Sequence, residues 1–192
     1  MKSDGRFNTL IVDDNRGLRE ILEEYLKGEG YFVSGADNGR EALEKHRQEH
    51  FDLIITDLNM PELSGMELIR TIKKESDATE FIIITGYASM DSAVEAVRTG
   101  AFDYIVKPFR MEELQVVVKN VRDKVMLKKL NAKLLNTLQS FYDEMERYRQ
   151  GKPETEQNAE ETAGGGILID TERIIYAIRN LEKMKRGRLL IE

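Results

Sequence analysis

From Phe7 to about Phe109, short apolar runs alternate with amphipathic stretches. The runs are Leu10-Ile11-Val12, Tyr31-Phe32-Val33, Leu53-Ile54-Ile55, Phe81-Ile82-Ile83-Ile84 and Tyr104-Ile105-Val106. Three of them are nearly continuous in β-branched residues. Successive side chains of a strand point to opposite faces, so such a run suits a strand covered on both sides. Between the runs, Leu18, Ile21, Leu22 and Tyr25 recur at helical spacing, as do Leu63, Met66, Leu68, Ile69 and Ile72, and then Ala93, Val94 and Val97. The alternation predicts an α/β fold: a five-stranded parallel sheet with helices on both faces. Ligands of such sheets lie beyond the carboxyl ends of the strands, so the residues that follow each run are the candidates for chemistry.

The pattern changes after Met111. No glycine or proline occurs before Gly151, which predicts a helix of about 40 residues, about 60 Å long at 1.5 Å per residue. Leu114, Val117, Val118 and Val121 can cover the sheet, while Leu127, Leu130, Leu134, Leu138, Phe141, Met145 and Tyr148 recur at spacings of three and four, the mark of a coiled-coil seam. Left in water, that stripe would be a long exposed apolar surface, so a homodimer through this helix is expected. Residues 151–166 are acidic and polar and end in three glycines, the composition of a flexible linker. Residues 167–192 read as a short strand, helix and strand, too small to bury a core alone. The domains expected are therefore a folded domain over 1–122, a coiled-coil-like extension over 123–150, the linker and the tail.

Composition narrows the function classes. An apolar fraction of 41% with 33% charged residues is that of a globular protein. The net charge of −6 speaks against generic nucleic-acid binding, although it leaves room for a local basic patch. Cysteine is absent, which removes disulfides and thiolate metal sites. No apolar stretch reaches the roughly 20 residues that cross a bilayer, so a cytoplasmic protein without a membrane segment is expected.

At the strand ends stand Asp13 and Asp14, then Asp57, then Thr85-Gly86, then Lys107-Pro108. Carboxylates gathered on one sheet edge repel one another unless a cation intervenes. Hard oxygen ligands suit Mg2+. A divalent ion would leave Asp57 ionised and ready to attack an electrophilic phosphorus, while Lys107 and Thr85 hold phosphoryl oxygens by charge and by a hydroxyl hydrogen bond.

The segments Val12-Asp13-Asp14, Asp57-Leu58-Asn59-Met60-Pro61 with Gly65, Thr85-Gly86-Tyr87, and Phe102-Asp103-Tyr104-Ile105-Val106-Lys107-Pro108-Phe109 resemble the receiver domain of bacterial response regulators over roughly Arg6 to Asn120. The resemblance implies a flavodoxin-like receiver fold and phosphorylation of Asp57 by a sensor histidine kinase. It further implies a magnesium site formed by Asp13, Asp14, Asp57 and the backbone carbonyl of Asn59, and a cis Lys107-Pro108 bond. Thr85 and Tyr104 would be the switch residues, their coupled shift altering the surface of the fourth helix, fifth strand and fifth helix. The run Ile84 to Ser89 is similar to receivers of the nitrogen-regulator (NtrC) type, which normally precede an ATPase and a DNA-binding domain. No G-x-x-x-x-G-K-[ST] pattern occurs in this sequence, so that output does not carry over.

Other readings stay open at this level. A DNA-binding transcription regulator with an atypical output region would use the basic stretch Lys183 to Arg188, although a solvated helix end explains it as well. A scaffold that no longer cycles phosphate is a third reading, against which the intact acid cluster speaks. His46-Arg47-Gln48-Glu49-His50 fits a metallopeptidase pattern but reads better as the polar end of the second helix. The expected activity is limited to the domain's own phosphorylation and dephosphorylation, with a downstream protein partner unknown and DNA not expected.

Overall fold

The computed structural model describes residues 7–76 and 78–149. Elements follow in the order β1 (Asn8–Val12), α1 (Arg16–Gly28), β2 (Phe32–Ala36), α2 (Gly39–Gln48), β3 (Leu53–Thr56), α3 (Gly65–Glu75), β4 (Glu80–Thr85), α4 (Met90–Thr99), β5 (Asp103–Val106) and α5 (Met111–Arg149). All five strands pair in parallel, in the order β2-β1-β3-β4-β5. This is the doubly wound architecture expected from the sequence.

Local chemistry sets the helix starts. Asn15, Asn38 and Ser64 each accept a backbone N–H of the first turn, and Ser64 with Glu67 forms a reciprocal capping box. Ser89 and Ser92 do the same at α4, which ends on Gly100 at φ 86°, a left-handed position that glycine adopts without a Cβ clash.

Strand side chains divide between two cores. Ile11, Leu53, Ile55, Ile82, Ile84 and Ile105 pack with Leu22 and Leu26 of α1 and with Leu114, Val118, Val121 and Val125 of α5. Leu10, Val12, Ile54, Phe81 and Ile83 face the other way, against Ala42, Leu68, Ile69, Ile72 and Ala96 of α2, α3 and α4. The uninterrupted apolar runs are thus the two-sided burial of a covered sheet. The expected apolar face of α4 is only partly buried. Ala96 is fully covered, but Val94 and Val97 are exposed at 41% and 75%, along with Met90 and, on β5, Val106. The reason is that α4 sits at the edge strand, where a small alanine suffices for contact and the valines project past the sheet.

The long helix is present, with 39 residues. Glu112 and Glu113 stand in its first turn, where negative charge complements the helix dipole. Its docking continues past 122: Val125 is buried, and Lys124 and Lys128 donate to the two oxygens of Glu80 at 3.0 and 2.8 Å. Lys129 donates to Asp52 at 2.6 Å, whose other oxygen accepts the Asn8 N–H at 3.0 Å. Burial opposes the charged forms of Glu80 and Asp52. Hydrogen bonds from Lys128 and Lys124 to Glu80, and from His50, Lys129 and Asn8 to Asp52, outweigh it and hold both carboxyls below their ordinary values. The apolar pattern of the sequence carries no sign of these lysine contacts. From Leu127 onward the seam residues Leu127, Leu130 and Leu134 are exposed and Leu138 is half-buried.

The chain divides into two compact units, the second beginning at Phe141. Of that unit residues 141–149 are described: they are helical, and Phe141, Tyr142 and Met145 are exposed. The expected linker and tail lie outside the described residues. No helix among the described residues is long and apolar enough to cross a membrane.

Replacing Lys124 and Lys128 together by Met leaves the buried Glu80 carboxylate without its cations. The expected loss is about 2–4 kcal/mol at pH 7, below the full cost of orphaning a buried charge because both lysines are half-exposed. A depressed carboxyl pKa contributes stability above its unfolded value of about 4.3, and that contribution is lost as pH falls. Urea titrations of parent and variant should therefore differ clearly at pH 7 and converge toward pH 3.

Candidate functional site

Register places the acids. Val12 pairs with Thr56, so the next residues, Asp13 and Asp57, leave neighbouring strands side by side. The Asp57 N–H donates to the Val12 carbonyl at 3.0 Å and fixes this exit. Beyond β1 the chain turns toward β2, and beyond β3 it turns toward β4, which opens a crevice between the two loops. Thr85 pairs with Val106, and the Lys107 N–H donates to the Thr85 carbonyl at 2.9 Å. The lysine side chain is long enough to cross the end of β4 from there.

Its ammonium reaches both acids. Lys107 Nζ donates to Asp13 Oδ2 and to Asp57 Oδ2, each at 2.7 Å, within the range of charge-assisted hydrogen bonds. The second oxygen of each acid accepts a nearby backbone N–H: Asp13 Oδ1 from Asn15 at 2.9 Å and Asp57 Oδ1 from Asn59 at 3.2 Å. Both acids are buried, at 3% and 8% exposure. Burial pulls the Lys107 pKa down, but hydrogen bonds and charge from Asp13 and Asp57 win and hold it above lysine's ordinary value.

Two carboxylates against one ammonium leave a surplus negative charge in a shielded place, and their free lone pairs are hard donors. That donor set fits a hard divalent cation such as Mg2+. The expected gathering of three acids is met by a pair. Asp14 is exposed, one residue further into the turn, where water hydrates its charge, and among the described residues no group of three acidic or histidine side chains is close enough to hold a metal. The Asn59 side chain is exposed as well. Thr85 is fully buried at the end of β4, and its Oγ1 accepts the Tyr87 N–H at 3.2 Å. The Lys107-Pro108 bond is cis.

Comparison with known proteins supplies the family. The model of the response regulator receiver domain matches residues 9–119, more than half of the chain. The chain belongs to the response regulator receiver family. Transcriptional regulatory protein ZraR of Klebsiella oxytoca is 42% identical over 109 residues, which are 57% of this chain and 25% of ZraR. The chain thus spans about a quarter of the length of such relatives. The beryllofluoride-activated NtrC4 receiver domain dimer is a solved structure with 34% identity and a TM-score of 0.59, covering 62% of this chain and 98% of that one. Response regulator TrrA of Thermotoga maritima, solved in complex with Mg2+-BeF, has 37% identity and a TM-score of 0.55, covering 60% and 98%. The resemblance to NtrC-type receivers and the flavodoxin-like fold hold.

Within the receiver, Tyr104 is half-buried on β5, and its hydroxyl lies 2.9 Å from Ser92 Oγ on α4. Sequence reasoning named Tyr104 but missed Ser92, whose only trace was the Ser89-x-x-Ser92 spacing of a helix start. It also missed Arg19, which donates to the Asp13 carbonyl at 2.6 Å and pairs with Asp37, so that α1 steadies the first acid's turn. Gly65 entered only as part of a motif. Its physical reason is close approach: a Cβ there would stand 2.0 Å from the Asp57 carbonyl oxygen, because the start of α3 is drawn against this loop by the Gly65 N–H to Leu58 carbonyl bond at 3.1 Å.

Gly65→Ala should consequently push α3 and the Asp57 loop apart. The expected destabilisation is about 1–3 kcal/mol in urea titration, the usual cost of overpacking. A variant as stable as the parent would show that the loop relaxes freely.

Proposed function

We propose that this receiver accepts a phosphoryl group on Asp57 from the phosphohistidine of a sensor histidine kinase, or from a small phosphodonor, in a Mg2+-dependent reaction. Phosphorylation then alters contacts with a second copy or with a partner protein. The observation that carries the reading is the buried pair Asp13 and Asp57 sharing the Lys107 ammonium at 2.7 Å.

Each residue has a role in that reading. An Asp57 carboxylate oxygen forms the new bond to phosphorus as the bond from phosphorus to the donor's imidazole nitrogen breaks, and the imidazole leaves with a proton. Lys107 transfers part of its hydrogen bonding from Asp57 to a phosphoryl oxygen, stabilising charge that the acid no longer carries alone. Thr85 trades the Tyr87 N–H for a hydrogen bond to a second phosphoryl oxygen. When bound, Mg2+ offsets the combined negative charge of the acids and the phosphoryl group. Asp13 and Asp57 would hold it, with the Asn59 carbonyl and, once its exposed side chain turns inward from the turn after β1, Asp14. TrrA, solved with Mg2+-BeF, supports Mg2+ as the ion by kinship.

Movement of Thr85 would reach Tyr104 on the neighbouring strand and, through Ser92, the start of α4. The exposed Met90, Val94 and Val97 of α4 and Val106 of β5 would change their presentation with it. The exposed leucines of α5 support a constitutive homodimer helix over 123–150, with the linker and tail left for a partner protein.

Labelling with acetyl phosphate and Mg2+ tests the chemistry: Asp57→Asn should lose receiver labelling by at least about 100-fold. Labelling of the variant at the parent rate would end the proposal. Light scattering tests the assembly. The parent should have twice the monomer mass, and Leu134→Lys with Leu138→Lys should reduce it to the monomer.

A further inference from the structure

Arg19 takes no part in the proposed phosphoryl transfer, yet it is built against the turn that carries the acids. It stands near the start of α1, ahead of the buried Leu22, and its side chain is only 12% exposed. Helix side chains lean toward the helix start, so the guanidinium reaches back over the turn from β1 into α1. There Nη1 donates to the Asp13 carbonyl at 2.6 Å, and Nη2 pairs with Asp37 beyond β2. Gly35 of β2 leaves the room: a Cβ there would stand 3.0 Å from Arg19 Cδ and 2.1 Å from Glu23 Oε1. A glycine inside a strand often marks such a close approach.

The turn runs through Asp13, Asp14 and Asn15, and its outer two side chains are committed. Asp13 accepts from Lys107 and from the Asn15 N–H, while Asn15 caps α1 by accepting the Leu18 N–H. Asp14 between them is exposed. The peptide that joins Asp13 to Asp14 is planar, so the bond that fixes the Asp13 carbonyl also fixes the plane holding the Asp14 nitrogen and Cα. A guanidinium suits this task, because its rigid planar fork serves two acceptors in one set geometry. The nature of the cation proposed for the site then turns rigidity into selectivity. Mg2+ demands near-ideal octahedral geometry, whereas Ca2+ accepts more ligands in looser arrangements. A loosened turn therefore costs the first ion more than the second.

We propose that Arg19 is a positioning residue: by fixing the Asp13 carbonyl and the turn that follows, it sets the preference of the site for Mg2+ over Ca2+. The inference rests on the reading of these acids as a Mg2+ site and adds what tunes it.

Charge alone acts in the opposite direction, which sharpens the test. Removing a cation beside the acids should tighten both divalent ions, whereas loosening the turn should weaken Mg2+. Isothermal titration calorimetry of the full chain with MgCl2 and, separately, with CaCl2 gives the two Kd values, and urea titration shows that each variant is folded. Arg19→Gln should raise the Mg2+ Kd by about tenfold or more, the usual cost of losing a group that orients a metal ligand, and the Ca2+ Kd by less than about threefold. Arg19→Lys keeps the charge without the fork and should move the ratio of the two Kd values the same way. Asp37→Asn, at an exposed position where little packing is at stake, frees one side of the guanidinium and should lower the Mg2+ preference by about twofold or more. An unchanged ratio in the folded variants, or tighter binding of both ions by Arg19→Gln, overturns the role of Arg19 and leaves the Mg2+ reading standing. A parent chain that binds no Mg2+ overturns both.

Discussion

One ammonium held between two buried carboxylates is the interaction on which the site depends, and it can form only if strands from three places in the chain end level. Asp13 leaves β1, Asp57 leaves β3 and Lys107 leaves β5; the parallel register brings all three to the same edge. A slip of one residue in any strand would turn its core side chains to the wrong face and carry the acid or the lysine off the edge. The apolar alternation that builds the two cores and the polar cluster that carries the chemistry are therefore specified together. Neither can drift without the other.

The two ends of the sheet handle charge in different ways. At the carboxyl end the acids outnumber the cation, a surplus of negative charge that suits the divalent ion proposed for the site. At the amino end Asp52 and Glu80 are nearly fully buried yet matched by Lys124, Lys128 and Lys129, with His50 at 3.5 Å from Asp52. Those pairs bind the helix that leaves the receiver to the floor of the sheet. The first cluster is unbalanced and suited to change; the second is balanced and suited to hold a direction.

Between the two lies α4, the most lightly anchored helix of the receiver face. Only Ala96 is fully buried on it, and three of its large apolar side chains meet water. An element with few buried contacts is inexpensive to shift. β4 pairs with β5, and Tyr104 of β5 meets Ser92 of α4, so strand pairing and one hydrogen bond join the strand that carries Thr85 to this helix.

The sequence by itself determined the five strands, the flanking helices and the order of the polar residues after them, because a period of two or of 3.6 in apolar positions reports burial directly. It also named Asp13, Asp57 and Lys107, since strand ends can be read from where apolar runs stop. It could not separate Asp14 from its neighbour: two adjacent acids look alike until the turn into α1 leaves one buried and the other in water. Nor could it tell that Val94 and Val97 face solvent, that Ser92 meets Tyr104, or that lysines of α5 return to Asp52 and Glu80. Those partners lie on different elements, with a sequence separation of 12 for Ser92 and Tyr104 and of 77 for Asp52 and Lys129. Periodicity says which face of an element is buried, whereas which polar group meets which depends on how the elements are laid against one another. Only the tertiary structure decides that.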